Sequence, residues 1–360
     1  MIVIDARMVN ASGIGVYLKQ LLPRIVAARP QRRFILLGDP GELSAFNWAG
    51  SDNVEIREFT APVYSISEQV LAPLVVPRGS RLYWAPHFNV PLGVGTKLLT
   101  TVHDAFHLAM PQFVPGYHRR AYAAAMFRSL ASRSQAILTV SHFTRRELLR
   151  LTPVHPEKIQ VIYLGADPLW LRAEGANLKP HARPYLLYVG NVKPHKNLIS
   201  LLTAFRSLVG SIPHDLVLVG KREGFLTADS FVAGAARALG DRILFTDFVT
   251  DEQLKAYFTH ADALVHPSLY EGFGLSPLEA MACCTPAIVS NVASLPEVCG
   301  DAATYFDPRS PDDIARAILT LLKDPQLKAE MVKRGRQRAN DFSWTNTAAA
   351  TMEVLDRLVA

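Results

Sequence analysis

Short β-rich apolar runs alternate with longer stretches of helical periodicity through both halves of the 360-residue chain. In the first half the runs fall at 1–5, 33–37, 53–57, 97–102, 135–140 and 158–163; in the second, at 185–189, 215–219, 242–246, 262–266, 286–290 and 303–306. Many are apolar without alternation, as strands buried on both faces are. Between them lie amphipathic stretches such as 16–25, 198–209, 231–239 and 312–322. Repeated strand–helix units predict an α/β fold, with parallel sheets covered by helices on both faces. The periodicity breaks at 166–184, a mixed segment bounded by prolines, and restarts with a strand. A linker is therefore expected there, between a first domain at 1–168 and a second at 184–342. Two doubly wound domains so joined are expected to leave a cleft at the carboxyl ends of their strands.

Composition permits this. With 49% hydrophobic and 19% charged residues, each half can bury a full core. No run reaches the ~18–20 apolar residues that cross a bilayer. The opening MIVID has no basic leader region and is not expected to be a signal peptide, and the cysteine usage fits a reducing cytoplasm. Cys283, Cys284 and Cys299 are odd in number and lack metal-ligand spacing. They read as small buried fillers. Charge is uneven: residues 1–170 hold 18 Lys+Arg against 11 Asp+Glu, and residues 171–360 hold 20 against 21. A basic first half suits nucleic acid, a phosphorylated substrate or an acidic membrane face, and a generally basic surface explains it equally well.

Four segments carry candidate chemistry. Ser12-Gly13-Ile14-Gly15 follows the first strand and precedes a helix, where glycines let main-chain N–H groups approach a phosphate; a plain tight turn is the alternative. His103 and Asp104 follow a strand end, placing His103 to hydrogen-bond a sugar hydroxyl and Asp104 to orient it or close the turn; a satisfied structural histidine is the alternative. Residues 190–197 (GNVKPHKN) set Lys193, His195 and Lys196 beside a helix start, a good pyrophosphate environment that is not a Walker A loop. Residues 270–279 (YEGFGLSPLE) are the most informative. Gly272 and Gly274 free the backbone to wrap a ligand, Glu271 can accept from sugar hydroxyls, and Glu279 from ribose. Ser276-Pro277-Leu278-Glu279 also reads as a capping box. The chain has no D-x-D and no metal-ligand cluster in its spacing, so positive charge against a leaving diphosphate is expected from Lys196 and helix N-termini. The basic, aromatic stretch 117–133 reads as a helix on its own domain, and is also the best candidate for touching an anionic lipid head group.

With these motifs in view, and above all residues 261–308, the chain resembles the retaining glycosyltransferases of family 4 along its length, bacterial polysaccharide mannosyltransferases especially. Glu271 and Glu279 match the family's E-x7-E motif; Gly13 and Gly15, His103-Asp104, Ser141 and Lys196 match further positions. The resemblance implies a GT-B fold of two Rossmann-like domains: an acceptor domain, a nucleotide-sugar domain, and a final helix at 343–360 crossing back to the first. It implies a catalytic set of Glu271, His103 and Lys196. The donor-binding positions would be Gly13, Gly15, Ser141, Asn191, Lys193, Lys196, Phe273, Gly274, Leu275 and Glu279. Asn191 stands where many relatives carry a second basic residue, which leaves Lys193 or His195 as substitutes; Cys284 stands where glycine is usual.

The implied activity is retaining, metal-independent transfer of mannose from GDP-mannose, with no cofactor. The acceptor would be a glycan or polyprenyl-diphosphate-linked glycan in surface polysaccharide synthesis, at the inner face of the cytoplasmic membrane. A UDP- or dTDP-sugar fits the same frame. A GT-B nucleotide-sugar epimerase and a non-catalytic sugar-nucleotide-binding scaffold are competing readings, against which Lys196, Glu271 and Glu279 all stand intact. No nucleic-acid partner is expected.

Overall fold

The computed structural model describes residues 1–166, 168–171, 179–220, 230–246 and 249–360. Of the expected linker, 167 and 172–178 lie outside the described residues. The chain divides into two compact units, Met1–Gly165 with Ser343–Ala360, and Ala166–Phe342.

The first unit holds a seven-stranded sheet in the order β3-β2-β1-β4-β5-β6-β7. Its strands are β1 (Ile2–Asp5), β2 (Phe34–Gly38), β3 (Val54–Glu58), β4 (Leu82–Ala85), β5 (Lys97–Val102), β6 (Ala136–Thr139) and β7 (Ile159–Val161). Every neighbouring pair is parallel. Six of these strands match expected runs. The seventh, β4, has no counterpart among the expected runs: Leu82-Tyr83-Trp84-Ala85 is short, lies between Arg81 and Pro86, and does not extend as an apolar run on either side. It lies beside β1, near the middle of the sheet.

The second unit holds a six-stranded parallel sheet, β10-β9-β8-β11-β12-β13. Its strands are β8 (Tyr185–Val189), β9 (Asp215–Val219), β10 (Ile243–Thr246), β11 (Ala263–His266), β12 (Ala287–Ser290) and β13 (Ala303–Phe306). Strands β8, β9 and β11 are apolar and buried nearly throughout, because helices such as Leu198–Leu208 and Pro311–Lys323 supply their apolar faces to the sheet.

Strand order reverses beside β1 in one sheet and beside β8 in the other. In open α/β sheets such switch points open the crevice in which ligands bind. Residues just past β1 and β4, and past β8 and β11, therefore hold the positions of interest.

The last helix, Trp344–Val359, packs within the first unit. Thr347 Oγ1 donates to Tyr163 O at 2.7 Å, and Arg29 pairs with Asp356 at 2.7 Å. A Cβ on Gly165 would stand 2.1 Å from Trp344 N, so the chain passes this helix at a distance only glycine permits.

Candidate active site

Lys196 lies in the turn after β8 and Glu271 in the turn after β11, 75 residues apart in sequence. Because β8 and β11 are neighbours, the two meet: Lys196 Nζ donates to Glu271 Oε1 at 2.7 Å. His266, the last residue of β11, brings Nε2 to 2.8 Å from the same oxygen, and Ser268 Oγ lies 3.1 Å from that nitrogen. Burial pushes the Glu271 carboxyl up, but the Lys196 charge and the bonds from His266 and Lys196 outweigh it and hold its pKa well below the usual range. Glu271 is therefore an ionised carboxylate, and His266 Nε2 is the donor. Both donors use Oε1.

The backbone around this group is braced by side chains. Ser294 Oγ donates to the carbonyls of Glu271 and Phe273 at 2.9 and 2.8 Å. Asn197, in the left-handed region at φ 57°, donates from Nδ2 to Pro267 O and Pro308 O. That fixes the start of the helix Leu198–Leu208 against the loops after β11 and β13. Asn191 and Lys193 are exposed, and His195 is part-exposed with its carbonyl accepting from Leu269 N at 2.7 Å.

The expected capping box is corrected. The helix is Leu275–Ala282, with Gly274 at the N-cap in a left-handed conformation (φ 107°), so Ser276 and Pro277 fall inside its first turn. A Cβ on Gly274 would lie 2.8 Å from Leu295 Cδ2, which adds a steric reason for glycine there. Gly274 caps nothing with a side chain, and the helix's positive end is left for other acceptors. Phe273 is buried against Phe342, so only its main chain can serve a ligand. Glu279 lies part-exposed within the helix.

The other end of this helix explains an oddity of the sequence. Cys284 N donates to Met281 O and Thr285 N to Ala280 O, the paired bonds of a Schellman motif, with Cys284 at φ 61°. Glycine is the residue that adopts this conformation without a Cβ penalty. Cys284→Gly is expected to stabilise the protein by ~1 kcal/mol, read as a raised urea midpoint at unchanged m-value. Cys284 is also part-exposed, unlike the buried Cys283 and Cys299, whose thiols burial pushes up to about 12.

In the first unit, His103 follows β5 directly. Its Nε2 is 3.0 Å from Pro86 O, a pure acceptor, so Nε2 carries the proton and Nδ1 keeps a lone pair. Tyr17 meets the ring edge-on, with centroids 4.9 Å apart. Burial lowers the His103 pKa to about 4, against smaller raising contributions from Asp104 and the Pro86 carbonyl, so the ring is neutral at pH 7. Between pH 6.5 and 4 the unfolded chain binds a proton here that the native chain does not, and stability must fall with acid across that window. His103→Gln is expected to flatten this dependence by up to about 1.4 kcal/mol per pH unit, measured by urea unfolding at a series of pH values. Asp104 closes the turn, its Oδ1 accepting from Phe106 N at 2.9 Å.

Ser141 caps the helix His142–Leu151, accepting from Thr144 N at 3.0 Å, while Thr144 Oγ1 donates to His103 O. Gly13 and Gly15 were expected in a turn before a helix. The helix Ser12–Ala28 begins earlier, and both sit in its first turn. A Cβ on Gly15 would meet Val9 O at 2.6 Å, whereas Gly13 faces open space.

One cluster was not foreseen. At the first unit's switch point, Arg7 donates from Nε and Nη2 to Asp5 (2.9 and 2.5 Å), from Nη1 to Ala61 O (2.9 Å), and also bonds Glu68. His87 lies beyond β4, its Nε2 3.6 Å from Asp5 Oδ2. Ligand-type atoms of Asp5, Glu68 and His87 fall within 4.8 Å of one another, but the cationic place among them is taken by the Arg7 guanidinium.

Comparison with known proteins gives this geometry its context. The family model described as glycosyl transferases group 1 matches residues 172–338, and that described as Glycosyltransferase Family 4 matches residues 11–169. O-antigen chain mannosyltransferase B of Escherichia coli is 34% identical over 283 residues, covering 75% of this chain and 73% of that protein. The chain belongs to glycosyltransferase family 4. Serotype-specific mannosyltransferase WbdA of Escherichia coli is 29% identical over 76% of this chain, a match that spans only 34% of WbdA. Sucrose-phosphate synthase from Thermosynechococcus elongatus superimposes with a TM-score of 0.77 at 22% identity, covering 99% of this chain and 98% of that one. WaaG, a glycosyltransferase involved in lipopolysaccharide biosynthesis, also gives 0.77, at 14% identity over 98% and 99% of the two chains. These likenesses identify the fold as GT-B.

In this family 4 glycosyltransferase the two switch points differ in kind. Lys196 and Glu271 are part-exposed and can change partners. Asp5, Arg7 and Glu68 are sealed and saturated, which makes them structural.

Proposed function

We propose that this glycosyltransferase moves a mannosyl residue from GDP-mannose to a glycan or polyprenyl-diphosphate-linked glycan in surface polysaccharide synthesis, with retention and without a metal. It would work at the cytoplasmic face of the membrane, with its basic first unit toward anionic lipid. The observation that carries the reading is the Lys196–Glu271–His266 group at the β8/β11 switch point, in a chain whose relatives include named mannosyltransferases.

Lys196 is the cation for the donor diphosphate, exchanging Glu271 for phosphate oxygens as the donor binds. The uncapped start of the helix Leu275–Ala282 adds main-chain N–H groups and a positive dipole end, and exposed Lys193 stands in for the basic residue that Asn191 replaces. Glu271, held by one oxygen, offers the other to a sugar hydroxyl, and Glu279 serves the ribose. In the first unit, neutral His103 offers its Nδ1 lone pair to a substrate hydroxyl. The bond from the anomeric carbon to the diphosphate breaks, and the acceptor oxygen forms its bond on the same face. The acceptor proton passes to the departing phosphate oxygen, so no protein base is required.

The test is a thermal-shift panel of nucleoside diphosphates and sugar nucleotides, with and without EDTA. GDP and GDP-mannose should raise the melting temperature selectively, unaffected by EDTA. A shift with UDP or dTDP sugars instead would discard mannose, and a shift lost to EDTA would discard metal independence. A scaffold would bind donor yet show no transfer.

A further inference from the structure

The helix Ile66–Val75 is built inside out. It buries Glu68 and Ala72 and leaves Ile66 (82%), Val70 (61%), Leu71 (41%) and Leu74 (75%) exposed. Ile66, Val70 and Leu74 follow one another at intervals of four, forming a stripe about 12 Å long on one face. Glu68, the helix's one charged residue, points inward to Arg7 and Asn89. A surface helix in water normally places such residues the other way round.

The arrangement is also held firmly. Ser65 caps the helix by accepting from Glu68 N, and Gln69 bonds both Val90 O and Leu92 N. Leu92 (44%) and Tyr64 (43%) extend the apolar area.

The same unit supplies positive charge. Residues 1–165 with 343–360 carry 19 Lys+Arg against 12 Asp+Glu. Arg78 follows the helix. The helix Tyr117–Arg133, tied to the neighbouring segment by Tyr122–Asn89 and by Arg133 to the Pro91 and Val94 carbonyls, contains no acid. Among the described residues, the exposed Arg78, Arg119 and Arg128 form no ion pair.

We propose that Ile66, Val70, Leu71 and Leu74 form the apolar anchor by which this enzyme sits on an anionic lipid surface, with the unit's basic groups as the electrostatic second element. This deepens the membrane contact of the proposed function and rests on it. A bilayer fits better than a second copy. Four aliphatic side chains fall well short of the ~800 Å² per partner of a stable dimer. An interfacial helix needs only one apolar face sunk ~5–10 Å, and an apolar contact joined to basic residues gives the two signals that stable attachment requires.

The experiment is flotation of the full chain with phosphatidylglycerol/phosphatidylcholine vesicles and with phosphatidylcholine alone. The variants are Ile66→Ser/Val70→Ser/Leu74→Ser and Arg119→Gln/Arg128→Gln. Wild type should float with the anionic vesicles, and the aliphatic variant should partition at least about tenfold less. The arginine variant should weaken binding at low salt and lose its difference from wild type at high salt. Melting temperature and the donor-induced shift should be unchanged in the aliphatic variant, whose three side chains are exposed. Wild type that fails to float, or an aliphatic variant that floats equally well, overturns the proposal. So does a wild-type dimer in light scattering that the aliphatic variant dissolves, since that assigns the face to a second copy. Donor binding without flotation would sink the anchor and leave the transferase reading standing.

Discussion

Replacing Glu271 by alanine is expected to lower kcat/KM for sugar transfer at least about 10³-fold while the protein stays folded. The carboxylate has two tasks in the structure. One oxygen takes the Lys196 ammonium and the His266 Nε2, and the carboxylate's charge balances that of Lys196. Alanine removes the acceptor proposed for the sugar and strands both donors, but Lys196 is part-exposed and can turn to water, so global unfolding is not expected. Binding of GDP alone should hold or tighten, because the cation is no longer neutralised. Loss of transfer with retained GDP binding therefore separates a role toward the sugar from a role in folding. Glu271→Gln keeps the shape and one acceptor oxygen without the charge, and should fall between wild type and alanine. The folded carboxyl is held well below its usual pKa, so Glu271 should add no limb to the pH–rate profile above about pH 4.5. Steady-state transfer and thermal shift on the three proteins decide the matter. Near-normal turnover by the alanine variant would reduce the motif to a structural one.

How much of this the sequence announces depends on what kind of signal each part leaves. Among the described residues, twelve of the thirteen strands lie within a residue or two of the expected runs, most of them because a buried parallel strand is apolar nearly throughout. β4 is too short to stand out beside a proline, and missing it hid the neighbour of β1 and the His87 that follows. Lys196 and Glu271 could each be picked out at a strand end. Their direct bond could not, because it depends on β8 lying beside β11, a non-consecutive pairing that no local pattern encodes. His266 reads in sequence only as the polar end of an apolar strand. The capping box failed for a different reason: Gly274 turns left-handed and starts the helix before Ser276, and glycine's freedom leaves the start undetermined by residue type. Helix Ile66–Val75 went unremarked since its apolar residues mark the outer face rather than the core.

Arg7→Met should be the most damaging change away from the active site, costing roughly 3–5 kcal/mol at pH 7.5. Arg7 is 5% exposed, Asp5 and Glu68 2% each, and the guanidinium sits between the two carboxylates over the Phe59 ring. The same carboxylates also accept from neutral donors: Asn89 Nδ2 and Tyr64 N donate to Glu68 Oε2, and Tyr83 OH to Asp5 Oδ2 at 3.3 Å. Those neutral donors cannot replace a charge, so methionine would leave two buried carboxylates facing each other. The pH dependence distinguishes this cause from lost packing. In wild type, burial raises the Asp5 pKa, but the hydrogen bonds and charge of Arg7, with the His87 ring 3.6 Å away, lower it further than burial lifts it. A depressed folded pKa gives stability that is present above the ordinary carboxylate range and is lost as pH falls below about 4. In the variant burial outweighs the neutral donors, the Asp5 pKa rises above its unfolded value, and acid relieves the strain. The stability gap between the two proteins should therefore narrow between pH 7.5 and 5, while a pure packing defect would keep it constant. Urea unfolding at the two pH values measures the gap. Hydrogen exchange should show the helix Ile66–Val75 opening fastest, because Glu68 is its one side chain bound to Arg7, leaving the bonds of Gln69 and the neutral partners of Glu68 to hold it.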